Sequence, residues 1–395
     1  MTSHPTRPNA PVDASAAYKL ALELFVAGYE GTTVPASYRQ RLADGLAGTI
    51  LFKRNLEHAA DGLIDVANLA AHNEAIHSAG HDGPTGLPVI SSVDQEGGLV
   101  ARLRAPFTHL PPMRTIGETG DHELAHAAGA QTGRECFAAG FNVDFAPILD
   151  IDTNPDNPII GNRAFGRDAE SVIQMAGAFG RGLTSEGVLG CGKHFPGHGD
   201  TDVDSHLALP VLHHDLARLT EVELAPFKAL AAELPMVMTA HILFPALDEE
   251  LPATLSPRII EGLLRKACGY DGVIVSDDLE MKGVAATFSS SESVTLGLAA
   301  GVDLFLVCRK EDALEEAVAA AAKILRDGGD CAAKALRAIE RVRKLRQTLQ
   351  QPAPSVAAIR RAIGHEDGDG LRMRLGIGTV SSSDREPSSA PPARA

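Results

Sequence analysis

Eight short apolar runs recur along the chain, each followed by a turn and an amphipathic stretch, and this alternation constrains the fold most. They span residues 20–27, 49–52, 89–93, 143–149, 187–193, 236–241, 272–276 and 302–308. Near-continuous apolar strands separated by alanine- and leucine-rich helices, as at 312–325, indicate a parallel sheet buried on both faces. Eight runs predict an α/β fold consisting of a single (β/α)8 TIM-type barrel. A doubly wound sheet of six or seven strands is the alternative, but no GxGxxG or Walker loop follows any run.

The ends differ from the middle. Residues 1–14 and 351–395 are rich in Pro, Ser, Gly and charge, so the barrel is expected over 15–350 between disordered segments, with one short helix at 355–364. The N-terminus has no apolar core of the secretory kind, and no stretch approaches a membrane span in length. The five cysteines (Cys136, Cys191, Cys268, Cys308 and Cys331) are scattered, lack CxxC spacing and read as reduced. A cytoplasmic location follows as the expectation.

Lys and Arg number 36 against 51 Asp and Glu, a net charge of −15, which argues against nucleic acid or an anionic membrane as partner. The one basic cluster, 341–346, reads as a solvated helix face. Trp is absent and aromatic residues make up 4% of the chain, so a hydrogen-bonding pocket for a small molecule is expected over a long polysaccharide cleft.

Polar motifs follow the C-terminal ends of six runs: Lys53-Arg54-Asn55, Asp94-Gln95-Glu96-Gly97-Gly98, Asp150, Lys193-His194, His241 and Asp277-Asp278. Barrel enzymes assemble their sites at that end. The densest motif is Lys193-His194-Phe195-Pro196-Gly197-His198-Gly199-Asp200-Thr201-Asp202-Val203-Asp204-Ser205-His206. Its glycines, proline and ionisable groups suit a loop that gathers charge around a ligand.

Within it, Asp204 and His206 point the same way if the loop is extended, so the carboxylate can fix the imidazole tautomer and free its other nitrogen for proton transfer. Simple solvation is the plain alternative. Asp277 can be a nucleophile, a metal ligand or a helix N-cap, and the N-cap role suits Asp278. Asp94 with Arg102 can fork onto sugar hydroxyls or a carboxylate, helped by the close backbone approach that Gly97-Gly98 permits, or can form a plain salt bridge. Arg163 has the same two readings. The His and Asp density of 193–206 raises a metal-dependent hydrolase, but within that stretch HxH and HExxH spacings are absent.

Taken together, Asp94-Gln95-Glu96-Gly97-Gly98 with Arg102, Phe145-Ala146-Pro147-Ile148-Leu149-Asp150, the 193–206 signature, Met238-Thr239-Ala240-His241 and Ser276-Asp277-Asp278-Leu279 resemble glycoside hydrolase family 3. The similarity is to its β-N-acetylhexosaminidase branch, the cytoplasmic β-N-acetylglucosaminidases of peptidoglycan recycling, over about residues 17–310. The resemblance implies an exo-acting, retaining enzyme that releases N-acetylglucosamine from muropeptide fragments. It implies Asp277 as nucleophile, His206 as general acid/base oriented by Asp204, and Asp94, Arg102, Arg163, Lys193 and His194 as sugar-binding residues. It further implies no metal and no organic cofactor, and a monomer is expected. The nearest alternatives are a β-glucosidase, a broad N-acetylhexosaminidase, and a phosphorylase in which phosphate replaces water.

Overall fold

In the computed structural model, residues 13–81 and 83–377 are described. Eight parallel strands close into a barrel: β1 (Phe25–Ala27), β2 (Gly48–Leu51), β3 (Ile90–Val93), β4 (Val143–Asp144), β5 (Leu189–Phe195), β6 (Met236–Thr239), β7 (Val273–Asp278) and β8 (Leu304–Val307). Each pairs with its neighbours in sequence, and β8 returns to β1 through Phe25 opposite Phe305. Helices follow the strands on the outside, among them Val66–His81 after β2, His122–Ala139 after β3 and Ala169–Ser185 after β4. This is the (β/α)8 barrel that the eight apolar runs predict.

Two runs are only partly strand. In 20–27, helix Ala14–Leu22 occupies the first part, capped by Asp13 accepting from the amides of Ser15 and Ala16. The Ala/Leu composition favours a helix there, and pairing begins only at Phe25. In 143–149 the strand ends at Asp144; Pro147 has no amide to donate to a ladder.

Side chains alternate between two apolar layers. Val26, Ile50, Ile90, Cys191, Met236 and Leu304 belong to one cluster with Val342, Leu345 and Leu349, which places helix Gly329–Thr348 across the N-terminal mouth of the barrel. The larger cluster joins the opposite strand faces to the surrounding helices. All five cysteines are free thiols, four of them buried.

The reading of 341–346 as a solvated face is overturned. Arg346 is buried and donates from Nε to the Pro88 carbonyl (2.9 Å) and from Nη2 to the Leu87 carbonyl (3.0 Å). Arg343 grips Glu23 at 2.6 and 2.7 Å, and Arg341 reaches Asp303 at 3.2 Å. These acceptors lie just before β3, β1 and β8, so the basic helix ties down chain segments entering the barrel. Only Lys344 fits the solvated reading.

The short helix expected at 355–364 is present, and beyond it the expectation of disorder from residue 351 fails for a second helix. Ser355 caps helix Val356–Ile363, and helix Glu366–Leu375 follows. Ile359, Ala362, Leu371 and Arg372 are buried against helix His122–Ala139, where Gln131 donates to the Ala362 carbonyl (3.2 Å) and Arg372 to Thr108 Oγ1 (2.7 Å). Sparse apolar residues at helical spacing suffice because a partner surface is available. At the other end Ala14 is already helical. Residues 1–12 and 378–395, where the remainder of the disorder reading falls, lie outside the described residues.

Candidate active site

The C-terminal ends of β3, β4, β5 and β7 converge on a dense set of charges. Lys193 and His194 are the two residues of β5 before its last, Phe195, and are buried, so the signature enters its loop only after Phe195. Lys193 tolerates burial because its ammonium lies 3.0 Å from Asp94 Oδ1 and 2.6 Å from Glu96 Oε1. Asp94 also accepts from Arg102 Nη2 (3.1 Å), and Glu96 takes two parallel bonds of 2.9 Å from Arg163. Burial opposes ionisation of both carboxylates, yet Lys193 with Arg102 holds Asp94 far below its ordinary value, and Arg163 with Lys193 holds Glu96 at about 2. Four of the expected sugar-binding residues, Asp94, Arg102, Arg163 and Lys193, are thus in one ion-pair network.

Lys193 is its centre, and Glu96, which sequence reasoning left without a role of its own, links it to Arg163. Arg163 is 67 residues away from Glu96. The neighbouring glycines have another purpose than close approach to a ligand. Gly97 and Gly98 have positive φ (107° and 55°) and turn a short hairpin over Met113 and Pro112, which a Cβ would strike.

The fifth expected sugar-binding residue, His194, donates from Nδ1 to Asp150 Oδ2 at 2.7 Å, leaving Nε2 as its other polar atom. Asp150 also accepts from the amides of His194 (3.1 Å) and His198 (2.7 Å). Burial raises its pKa, but the imidazoles of His194 and His198 and these donors bring it below the ordinary value. Asp150 was visible in sequence as a polar residue after a strand and as the end of the 145–150 motif; its pairing with His194 was not.

Asp277 stands near the end of β7, partly accessible, with Oδ1 accepting from the Asp278 amide (2.8 Å). Burial works against its charge, but His194, His241 and His206 together hold it ionised below the usual carboxylate range. His241 is fixed by donating from Nε2 to the Asp278 carbonyl (3.0 Å), with Nδ1 2.9 Å from Thr254 Oγ1. The N-cap reading of Asp278 is overturned: helix Lys282–Ala285 follows Met281, and Asp278 Oδ1 accepts instead from the amides of Glu280 and Cys308 (both 3.1 Å). It thereby joins the ends of β7 and β8.

The loop after β5 carries the second dyad. His206 Nδ1 lies 2.8 Å from Asp204 Oδ1, which also accepts the His206 amide (2.9 Å), as the i, i+2 spacing predicts. The His206 side chain is 60% exposed, so Nε2 is free to meet a ligand. Between the two, Ser205 is buried. Two other ionisable groups of the loop are separately engaged, His198 with Thr201 and Ser205 and Asp200 with His214 at 2.7 Å, while Asp202 is exposed. Among the described residues, no group of three or more His, Cys, Asp or Glu is arranged to hold a metal ion.

An ionised carboxylate ringed by imidazoles, beside a histidine with one free nitrogen and a rim of charged donors and acceptors, is equipped for transfer of a hydroxyl-rich group. The sequence profile of the glycosyl hydrolase family 3 N-terminal domain matches residues 31–345. The chain belongs to glycosyl hydrolase family 3. It is therefore a glycoside hydrolase. It is 39% identical to a beta-hexosaminidase of Pseudomonas aeruginosa over 292 residues, 73% of this chain and 83% of that one. Among solved structures of the family, a β-N-acetylglucosaminidase from Paenibacillus shares 34% identity at a TM-score of 0.80, covering 91% of this chain and 68% of that one. Native NagZ from Neisseria gonorrhoeae shares 29% identity at a TM-score of 0.74, covering 90% and 97%. No helix among the described residues is long and apolar enough to cross a membrane.

Proposed function

We propose that this family 3 member is an exo-acting, retaining β-N-acetylglucosaminidase acting on cell-wall muropeptide fragments. The observation that carries the reading is the pairing of an ionised Asp277 with the Asp204–His206 dyad. The names of the relatives, beta-hexosaminidase and β-N-acetylglucosaminidase, point to the same sugar.

In this mechanism Asp277 attacks the anomeric carbon while His206 Nε2 protonates the departing oxygen. The covalent glycosyl-enzyme is then hydrolysed by a water that His206, now neutral, deprotonates. Asp204 holds the imidazole in the tautomer both steps require. Retaining enzymes ordinarily use two carboxylates about 5 Å apart. A histidine, with an ordinary pKa of ~6.5, matches proton transfer near neutrality and adds no second negative charge beside Asp277. Asp94, Arg102, Arg163, Lys193 and His194 hold the terminal sugar; Glu96 and Asp150 fix the last three of them in place. The substrate is a small saccharide, and the enzyme works as a cytoplasmic monomer without metal or cofactor.

The test is chromophore release from 4-nitrophenyl N-acetyl-β-D-glucosaminide in EDTA, with and without phosphate. Wild type is expected to turn over without phosphate, and Asp277→Asn to lose at least about a thousandfold, as nucleophile removal does. A slowly hydrolysed fluorosugar should label the peptide containing Asp277. Labelling elsewhere, or full activity in Asp277→Asn, would overturn the assignment.

A further inference from the structure

The cations of the sugar-binding set are matched by carboxylates: Lys193 by Asp94 and Glu96, Arg163 by Glu96, and Arg102 by Asp94. Two neighbours are not. Lys53 follows β2, and Arg104 lies just beyond the hairpin that carries Asp94 and Arg102. Neither has an ion-pair partner among the described residues; Arg104 makes one long bond of 3.5 Å to the Leu99 carbonyl.

Arg102 connects them to the site. Its guanidinium carbon lies 5.6 Å from the ring centre of Phe52, the residue before Lys53, while its Nη2 reaches Asp94. Arg102 and Arg104 flank the buried Leu103, and both remain partly accessible. The three cations also act on one another. Partial burial lowers the Lys53 pKa first, and repulsion from Arg104 and Arg102 lowers it further. In a chain of net charge −15, these three cations have one carboxylate among them, Asp94, which pairs with Arg102 alone of the three and is already bound to Lys193, so they form a local positive excess. An anion would relieve that repulsion.

We propose that Lys53, Arg102 and Arg104 form an anion-binding subsite beside Asp94, which takes a carboxylate or phosphate group carried by the saccharide substrate. This rests on the glycosidase reading above and adds to it a preference for charged substrates. Arg102 and Arg104 offer planar donors suited to such groups, and Lys53 supplies a point charge on a flexible stem.

The double variant Lys53→Ala/Arg104→Ala tests it, because neither residue belongs to the sugar-binding network or the dyads. Three substrates are compared: neutral 4-nitrophenyl N-acetyl-β-D-glucosaminide, its 6-phosphate, and N-acetylglucosamine β-linked to N-acetylmuramic acid. The neutral substrate should keep its kcat/KM within about twofold, while one anionic substrate loses about tenfold or more, the effect of losing a charge-assisted contact. Selective loss on the phosphate places the anion on the terminal sugar; selective loss on the muramic acid compound places it on the leaving group. Equal losses on all three substrates, or none, overturn the subsite. Inorganic phosphate is titrated in parallel by thermal melting. A rise in Tm that the variant lacks supports the subsite even if wild type cleaves nothing, the result that would sink the glycosidase reading instead. If wild type cleaves nothing and shows no such rise, both fail.

Discussion

Ser205 Oγ lies 3.0 Å from Nε2 of the buried His198, so the residue between Asp204 and His206 is fastened to the floor of its own loop. The proton count is settled by Thr201, whose hydroxyl donates to the His198 carbonyl (3.1 Å). His198 Nδ1–H must then donate to Thr201 Oγ1, leaving Nε2 to accept from Ser205. Burial, with repulsion from His194, lowers the His198 pKa to about 4, which keeps the ring neutral and this arrangement intact. From the other side the Gly283 amide donates to the Ser205 carbonyl (2.9 Å). A Cβ on Gly283 would sit 2.9 Å from that same oxygen.

Ser205→Ala should therefore loosen the dyad without unfolding the protein. The expected result is roughly a tenfold loss of kcat, little change in KM, and stability lower by about 1 kcal/mol, the worth of one hydrogen bond. Gly283→Ala should lower kcat from the opposite side by displacing the loop. Steady-state kinetics with thermal melts checks both; unchanged kcat in both would show that the loop needs neither fastening.

Replacing His206 by Glu substitutes a group of ordinary pKa ~4.3 for one of ~6.5. The protonated acid that the first step needs is then populated only at lower pH, so the optimum should move toward acid. A pH profile of kcat/KM reads this directly. An unchanged profile at equal activity would remove His206 from the acid/base role.

Asp144 gives a prediction about stability. Burial raises its pKa to about 8, outweighing the Gln95 amide that donates to Oδ1. The folded state therefore holds a proton that the unfolded chain has released, and the stability this contributes falls as pH rises from about 4 toward 8. Asp144→Asn keeps the acceptor and removes the titration. Its Tm should gain on wild type progressively from pH 5 to pH 9, and a constant difference across that range would contradict the assignment.

Arg346→Ala should cost about 3 kcal/mol, since it leaves two partly buried carbonyls without their charged donor. Lys344→Ala, exposed on the same helix, should change stability by less than about 0.5 kcal/mol. Urea denaturation of the two variants separates a fastening from a solvated charge.

The barrel was legible because buried parallel strands write their pattern locally, and Asp204–His206 because the pair is two residues apart. The Asp94–Lys193 pair spans 99 residues, and the role of Glu96 depends on its pairs with the likewise distant Lys193 and Arg163. Nothing in local spacing encodes such pairs. Arg346 misled for a related reason: a basic helix face reads as solvated until the carbonyls it caps are known. The helix at 366–375, unlike the one expected at 355–364, was missed because so few of its side chains are buried, too few for composition to register.

The helix that closes the barrel floor also bears on how the chain comes to be folded during synthesis. Val342, Leu345 and Leu349 fill the floor, and Arg343 and Arg346 clamp segments made some 250 to 320 residues earlier. On the ribosome, all eight strands emerge before this helix does. A nascent chain stalled after β8 would have its sheet open to water at one end, so lasting closure must await the helix 329–348. Chaperone occupancy of stalled chains should accordingly fall once that helix clears the exit tunnel.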